Sequence, residues 1–321
     1  MIATFKHCPS GRAMQNILLY LITVLIWGST WFAIEFQLGD IAIEVSLFYR
    51  FVIAACLMWT FCLVRGLNMR FSLKQHGFIL LLAVLNFALN FLLIYQAQHH
   101  LSSAMTAIAF TTMLLMNIVN TRLFFGKPVA KRIYFGALLG IAGIVVLFWP
   151  DLDGLDLANT SLLGLLLILS GALSASFGNM VSVRNSREQM PIMQVNAWGM
   201  LYASVVLGLT AWAKGDTFAF NTSPSYIISL LYLAMFGSVI AFASYFALLK
   251  RIGPEQASYT IVLFPLVAVV ISTLFEGFIW TSYTFSGFAL VLLGNAIVLT
   301  PFERIKALIF KPVMPEQPEL P

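Results

Sequence analysis

Charged side chains are rare within the long apolar segments of this chain, and Arg50 stands where its guanidinium could do chemistry. It follows Ile43, the start of the second apolar segment, by seven residues, which is about 10 Å along a helix. From that depth a guanidinium can extend to a membrane interface, pair with another helix or contact the carboxylate of a small molecule. These alternatives stay open on the sequence alone.

Glu35 and Glu276 are carboxylates at the ends of apolar segments. The interiors of the segments contain no Asp or Glu, so any coupling to protons would fall to Glu276 or, less favourably, to Glu35. The alternative for both residues is a solvated carboxylate or one that caps a helix.

Aromatic and polar side chains recur on shared helix faces. Trp27 and Trp31 are four residues apart, as are Asn86 and Asn90, so each pair lies on one face of a helix. Later segments add Tyr245, Tyr259 and Thr260. An amide or hydroxyl facing lipid is costly, so each must face another helix or water. A single residue of this kind usually joins helices, but the number of them favours a polar, aromatic cavity that suits amphipathic organic solutes.

Pro265 lies near the middle of its segment and cannot donate the helical hydrogen bond to residue 261,. In lipid the freed carbonyl must be satisfied by a neighbouring helix, by a Ser or Thr side chain, or by water in a cavity. A broken helix lining a cavity and a packed kink are both compatible with this residue. Thr260 or Tyr259, one turn away, could supply the polar partner.

Ten apolar segments must position these residues. In order they are 16–36, 43–64, 76–97, 104–124, 132–149, 162–182, 192–213, 226–249, 255–275 and 283–300. As helices they would be about 27 to 36 Å long, against a hydrocarbon core of about 30 Å. With 60% hydrophobic and 10% charged residues, a soluble fold would lack a wettable surface. We therefore predict an all-α integral membrane protein with ten transmembrane helices.

The distribution of basic residues predicts the orientation. Of 18 Lys and Arg, all but Arg50 and Lys214 fall in the two terminal tails, in alternate gaps between segments or, for Arg122 and Arg132, at the segment ends that border those gaps. The positive-inside rule then places both termini in the cytoplasm. The same distribution accounts for the net charge of +5. Because it leaves no clustered basic face, no nucleic-acid partner is expected.

A weak internal similarity relates the two halves at an offset of about 150 residues. Tyr95 aligns with Tyr245, and the further aligned pairs are Ala97 with Ala247, Ala107 with Ala257, Gly136 with Gly287 and Gly143 with Gly294. The connector 150–161 separates repeats 16–149 and 162–300, with tails 1–15 and 301–321. Since five is odd, the second repeat would be inverted, a construction that recurs in secondary transporters with a site between the halves. The alternative is chance similarity among apolar helices.

Glycines on the fifth and sixth segments predict close helix packing rather than chemistry. Those on the fifth are Gly136, Gly140 and Gly143, and those on the sixth are Gly164, Gly171 and Gly178.

The order of these features resembles the drug/metabolite transporter superfamily in its EamA-type ten-helix branch. The elements are Trp27-Gly28-Ser29-Thr30-Trp31, Arg50, Ala257-Ser258, Leu263-Phe264-Pro265, Phe275-Glu276, and Gly287 with Gly294. The resemblance covers both halves and implies export or facilitated passage of small amphipathic metabolites, such as amino acids, by alternating access across a bacterial plasma membrane.

The first half departs from the family pattern at two places. Leu114-Leu115 stands where the family usually has a proline in its fourth span, and Gly126-Lys127 stands where it has a glutamate. A mechanism that needs symmetric prolines or glutamates is therefore in doubt.

Motifs of other function classes are absent. The sequence contains no GxxxxGK[ST] phosphate loop, no HExxH and no GxSxG,. A membrane enzyme acting on lipid-linked substrates remains an alternative, although His99-His100 has no nearby carboxylate; a non-transporting scaffold or channel is another. We predict no cofactor and no metal, a small-molecule substrate and the lipid bilayer as partners, and leave open whether the chain pairs as a homodimer.

Overall fold

The computed structural model describes residues 11–126, 128–152, 160–257 and 260–299. Every regular element in these ranges is helical. The helices are α1 Gly11–Glu35, α2 Ile43–Val64, α3 Leu73–Leu82, α4 Asn90–Gln98, α5 Ser103–Phe110, α6 Met113–Phe125, α7 Lys131–Leu147, α8 Trp149–Leu152, α9 Thr160–Arg187, α10 Ile192–Lys214, α11 Pro224–Tyr232, α12 Ala241–Ala257, α13 Thr260–Phe275 and α14 Ser282–Leu299.

Eight helical stretches in the described ranges are long and apolar enough to cross a membrane. Spanning helices are thus confirmed, by length and composition, for eight of the ten predicted segments. The fifth and ninth segments form the shorter helices α7 and α13, of 17 and 16 residues. Large apolar side chains such as Leu63, Leu123, Leu138 and Leu274 are exposed on the outside, where lipid would cover them.

Serine and glycine residues set several helix ends. Ser72 and Gln75 form a capping box at the start of α3, and the side chain of Ser223 accepts a hydrogen bond from the Tyr226 N–H at the start of α11,. Gly126 and Gly215 end α6 and α10 with φ of +67° and +77°, a conformation that favours glycine. The glycine that stands in place of the family's glutamate thus terminates a helix.

Three predicted segments are less regular than the sequence suggests. π-Helical turns, Ala83–Leu89 and Leu233–Ile240, join α3 to α4 and α11 to α12. The fourth segment is interrupted between α5 and α6, where the hydroxyls of Thr111 and Thr112 donate to Ile108 O (2.7 Å) and Ala109 O (2.8 Å). Such back-bonding commonly bends helices.

The ninth segment, in contrast, continues as α-helix through Pro265, which is buried. The sequence was compatible with either a broken helix or a packed kink at Pro265. The structure has no broken helix at this residue. Gly28 of α1 packs against this stretch, because a Cβ added there would lie 2.8 Å from Phe264 O.

The predicted glycine seams are confirmed. A Cβ added at Gly136 would lie 2.6 Å from Gly294 O, and one added at Gly143 would lie 2.8 Å from Gly287 O. Helices α7 and α14 therefore meet backbone to backbone. On α9, a Cβ added at Gly178 would lie 2.7 Å from the Cβ of Asn86.

Helix contacts between the two halves are reciprocal. Helix α1 packs on α12 and α13, while α9 packs on α4 and α6. Helix α2 contacts the π-helical turn Leu233–Ile240, while α10 contacts the turn Ala83–Leu89, and α2 also packs on α10. The centre of the molecule thus lies between α1, α2, α9 and α10 and the two segments that contain π-helical turns.

Candidate functional site

Arg50 lies at this centre and is only 2% exposed. Its Nη1 donates to the Tyr95 hydroxyl at 3.2 Å, and its Nε and Nη2 both donate to Ser238 Oγ at 3.3 Å. Its guanidinium carbon lies 4.4 Å from the centroid of the Phe91 ring. We call Arg50, Tyr95, Ser238 and Phe91 the Arg50 centre.

The local backbone explains how Ser238 reaches Arg50. Ser238 belongs to the second π-helical turn, and its hydroxyl donates to Leu233 O, five residues earlier, at 3.0 Å. The neighbouring Gly237 allows close approach, because a Cβ there would lie 2.9 Å from Thr30 Cγ2 and 3.6 Å from Arg50 Nη2. Widened turns of this kind often occur at functional sites.

Within the part of the chain that the structure describes, the guanidinium of Arg50 is bound only by neutral groups. The two ion pairs found there are Arg184 with Glu188 and Lys214 with Glu44. Removing an ion from water costs several kcal/mol even after relaxation. Arg50 therefore does not extend to the surface: it is hydrogen-bonded to other helices through hydroxyl groups rather than a carboxylate.

A second polar group joins four helices near the C-terminal end of α1. Gln98 Nε2 donates to Trp31 O (3.0 Å), Ser103 Oγ (3.1 Å) and Glu35 Oε1 (3.2 Å). The Ser103 hydroxyl also donates to Trp31 O at 3.1 Å. Glu276 Oε2 accepts from the Ser103 N–H (3.3 Å) and from Ser272 Oγ (2.5 Å). We call Glu35, Gln98, Ser103, Ser272 and Glu276 the carboxylate network.

The carboxylate network brings the two predicted coupling residues together through Gln98 and Ser103. Both glutamates are half-buried, and no ion pair to either occurs among the described residues. Glu276 Oε1 and Gln98 Oε1 are buried without a hydrogen-bond partner among the residues that the structure describes. Glu276 therefore caps the start of α5 with one oxygen, and its other oxygen accepts no hydrogen bond from these residues.

Aromatic rings connect the predicted tryptophans to the centre. Trp27 lies 5.3 Å from Phe242 and 5.2 Å from Tyr245, measured between ring centroids. Phe242 in turn contacts Phe87 (6.2 Å), and Phe87 contacts Phe51 (5.8 Å). Trp31 is buried between Phe110 (5.4 Å) and Phe264 (6.0 Å).

The two predicted asparagines lie elsewhere, against α9. Asn86 packs on Gly178, and Asn90 packs on Gly171 while its Nδ2 donates to Asn86 O at 3.2 Å. Asn90 Oδ1 is buried and has no hydrogen-bond partner within the described ranges of the chain. The structure thus places Trp27 with Tyr245, but not with the asparagines. Thr260 is fully buried at the start of α13, and Tyr259 lies outside the described residues.

Sequence reasoning missed Ser238, Gln98, Ser103 and Ser272. Small hydroxyl residues in apolar segments give little signal, since most of them bond to their own helix. Gln98 stood next to His99-His100 at a segment end, where a polar residue is expected without any special role.

The model of the EamA-like transporter family matches residues 14–149 and 162–300. The chain belongs to this family. It is 32% identical over 251 residues to the uncharacterized inner membrane transporter YedA of Escherichia coli (strain K12), covering 78% of this chain and 79% of YedA. It is 25% identical over 272 residues to protein PagO of Salmonella typhimurium, covering 83% of this chain and 87% of PagO.

The fold of the chain is similar to that of a solved crystal structure. It shares 17% sequence identity with this chain, covers 88% of this chain and 96% of its own, and has a TM-score of 0.65. The predicted family is thus confirmed by the family model and the relatives, and the chain is a member of a transporter family.

Proposed function

We propose that this EamA-family chain is a secondary transporter that exports small amphipathic metabolites, such as amino acids, across the bacterial inner membrane by alternating access. One observation carries the proposal. Arg50 of the first half donates hydrogen bonds to Ser238 of the second half, deep inside the molecule. Polar contacts buried between two halves are expected where a transport site lies between repeats.

We further propose that residues 16–149 and 162–300 are inverted five-helix repeats with ten spans. The reciprocal helix contacts support this relation. So do the two π-helical turns, which begin at Ala83 and Leu233, an offset of 150 residues that matches the alignment of Tyr95 with Tyr245. In the α7–α14 seam, Gly136 meets Gly294 and Gly143 meets Gly287, which is the reciprocal pairing expected around a two-fold axis.

Cytoplasmic termini are part of the same proposal and rest on the basic residues. Cysteine substituted for Asp153 should react with a membrane-impermeant thiol reagent in intact cells, whereas cysteine substituted for Arg70 should not. Labelling at residue 70 without labelling at residue 153 would contradict this orientation.

The carboxylate network supplies a gate at one end of the pathway in this proposal. It links α1, α4, α5 and the C-terminal end of α13, and it is hydrogen-bonded to the backbone carbonyl of Trp31. A proton on Glu276 would weaken the acceptor that holds the Ser103 N–H and the Ser272 hydroxyl. Protonation would thus loosen the contact between α5 and α13 and couple opening to the proton gradient.

Flux measurements on the purified protein in sealed proteoliposomes test the function. We expect saturable, protein-dependent efflux of at least one amino acid or related metabolite, and acceleration by the same solute on the opposite side, as a carrier shows and a channel does not. Protein-free vesicles and the lipid-exposed variant Leu138→Ala serve as controls. Absence of protein-dependent flux for every solute, with either direction imposed, would refute the proposal.

A further inference from the structure

We propose that Arg50 binds the carboxylate of the transported solute, so that the substrates are small carboxylates with an apolar body. The inference rests on the proposed transport function and names the substrate class and the residue that selects it. Four features of the Arg50 centre carry it: the missing counter-ion, the unused donors, the aromatic surroundings and the position between the halves.

The charge of Arg50 has no carboxylate partner among the described residues, although carboxylates occur in the same end of the molecule. Glu44 is six residues earlier on α2, about 9 Å along the helix axis, and is bound to Lys214 at 2.6 Å. Glu35 and Glu276 are held in the carboxylate network. Arg50 is only 2% exposed, and a buried guanidinium is stabilised by an anion more than by hydroxyls. Since no carboxylate of the described residues pairs with Arg50, the anion would come from a bound solute.

The hydrogen-bond donors of Arg50 are only partly used. A guanidinium has five N–H groups, and the contacts found within the described residues engage Nε, Nη1 and Nη2 with two hydroxyl oxygens. One N–H on each terminal nitrogen therefore remains. Two parallel N–H groups on the terminal nitrogens are the geometry that binds a carboxylate through both its oxygens.

The single positive charge favours a carboxylate over a phosphate. Arg50 is the only Lys or Arg in the interior of the predicted segments, as the positions of the other 17 basic residues indicate. A phosphate monoester carries about −1.5 to −2 charges near neutral pH, which one buried cation would leave partly uncompensated. A carboxylate carries one negative charge and matches it.

Aromatic rings around Arg50 suit an apolar body. Phe91 lies under the guanidinium face at 4.4 Å, which supports the cation by a cation–π contact and leaves its edge for an anion. Phe51 contacts Phe91 and Phe87, and Phe242 connects these rings to Trp27. An amphipathic acid would thus meet a charged end and an apolar end in one place.

The position of Arg50 links binding to movement of the halves. Tyr95 belongs to the same half as Arg50, and Ser238 belongs to the other. A carboxylate that takes over the donors now shared with Ser238 would release a contact between the halves. Binding of the solute is thereby coupled to the change that alternating access requires.

Matched pairs of an acid and its amide test the proposal on the full-length protein in detergent. The pairs are L-phenylalanine with L-phenylalaninamide, L-leucine with L-leucinamide, and benzoate with benzamide, and the readout is the shift in Tm with concentration. We expect at least one acid to raise Tm saturably, and its amide to need at least about a tenfold higher concentration. Arg50→Gln should abolish the shift, and Arg50→Lys should weaken it, since lysine offers no planar pair of donors.

Lys214→Gln is the matched control. It removes a cation that lies half-exposed at the end of a segment and is already paired with Glu44. This variant should respond to the acids as the wild type does. Equal action of acid and amide, a wild-type response of Arg50→Gln, or no stabilisation by any of the acids would overturn the proposal. If Arg50→Gln does not fold, Arg50→Lys and the acid–amide comparison on the wild type decide in the same way.

The binding readout separates this proposal from the proposed function. Stabilisation by an acid through Arg50, without flux in vesicles, would leave the site standing and refute transport. Flux of solutes that is unchanged in Arg50→Gln would leave transport standing and refute the site.

Discussion

The Arg50 centre and the carboxylate network hold charges of opposite sign in the same molecule without pairing them. Arg50 is almost fully buried in the interior of α2 and is bound by side-chain hydroxyls from both halves. Glu35 and Glu276 lie at or just beyond the ends of α1 and α13, are half-buried, and are bound by an amide, a hydroxyl and a backbone N–H.

The two regions differ in the kind of partner that can neutralise their charge. A cation deep between helices can be neutralised by the carboxylate of a solute, whereas a pair of carboxylates at helix ends can be neutralised by a proton. Had Arg50 been paired with either glutamate, the charges would have cancelled within the protein and neither would have been available. In the proposed mechanism, separation of the two regions along the helices would let solute and proton bind at distinct places.

The largest effect is expected when the charge of the Arg50 centre is removed. Arg50→Gln should lower the rate of uptake into or efflux from proteoliposomes about 10- to 100-fold, since hydrogen bonds to charged groups are the stronger kind. Lys214→Gln should leave the rate within about twofold, because the Lys214 side chain is 53% exposed at the end of α10 and is not part of the Arg50 centre, although the substitution leaves the buried Glu44 carboxylate without its partner. Comparable losses in both variants, at equal protein yield, would mean that the buried cation has no special role.

Eight of the ten predicted spans agree with the structure, because a bilayer constrains the chain strongly, whereas the family was predicted from the order of its motifs. Backbone groups in lipid must be bonded within the segment, so hydropathy and loop charge suffice to locate helices. Close packing of α7 and α9 was also predictable, since glycines at short spacing have few other uses in such helices, but the pairing of α7 with α14 was not.

The partners inside the protein could not be predicted in the same way. Ser238 lies 188 residues from Arg50 in the chain, and nothing in a single sequence relates them. The π-helical turns have no proline to mark them, and the first is supported by Ser174, whose hydroxyl donates to Leu85 O from another helix. Pro265, the one clear helix breaker in the middle of a segment, is accommodated without a break, whereas Thr111-Thr112 interrupts its helix through side-chain hydrogen bonds.

The next largest effect concerns the carboxylate network. If Glu276 carries the coupling proton, wild-type efflux should rise by up to about tenfold, or about 1.4 kcal/mol, when the side opposite the solute is made acidic. Glu276→Gln cannot exchange a proton and should show no such dependence, and Glu35→Gln should show a smaller loss. If the rate of wild-type efflux does not change with an imposed pH gradient, the protein is a uniporter and Glu276 is a structural cap of α5.

A smaller effect separates the two hydroxyls of the Arg50 centre. Ser238→Ala removes two of the contacts to Arg50 and Tyr95→Phe removes one. We expect the apparent KM for a transported acid to change by about fivefold or less in either variant, consistent with about 1 kcal/mol for a net hydrogen bond. Ser286→Ala, in an exposed position on α14, is the control. A loss as large as that of Arg50→Gln would shift the decisive role from the charge to the hydroxyl.

The smallest effect is expected from Gln98→Leu. This variant tests whether the carboxylate network holds helices together and takes no part in binding the solute. The substitution removes the donor to Trp31 O, Ser103 Oγ and Glu35 Oε1. Because the Ser103 hydroxyl still donates to Trp31 O and Glu35 keeps some access to solvent, the expected loss is about 1 kcal/mol, or a few degrees in Tm. The concentration of acid that half-saturates the Tm shift should not change, since Arg50 is untouched. Gln96→Leu removes an amide of the same helix that forms no side-chain hydrogen bond within the described residues, and it should have no effect. If Gln98→Leu weakened acid binding as Arg50→Gln is expected to do, the two regions would form a single site.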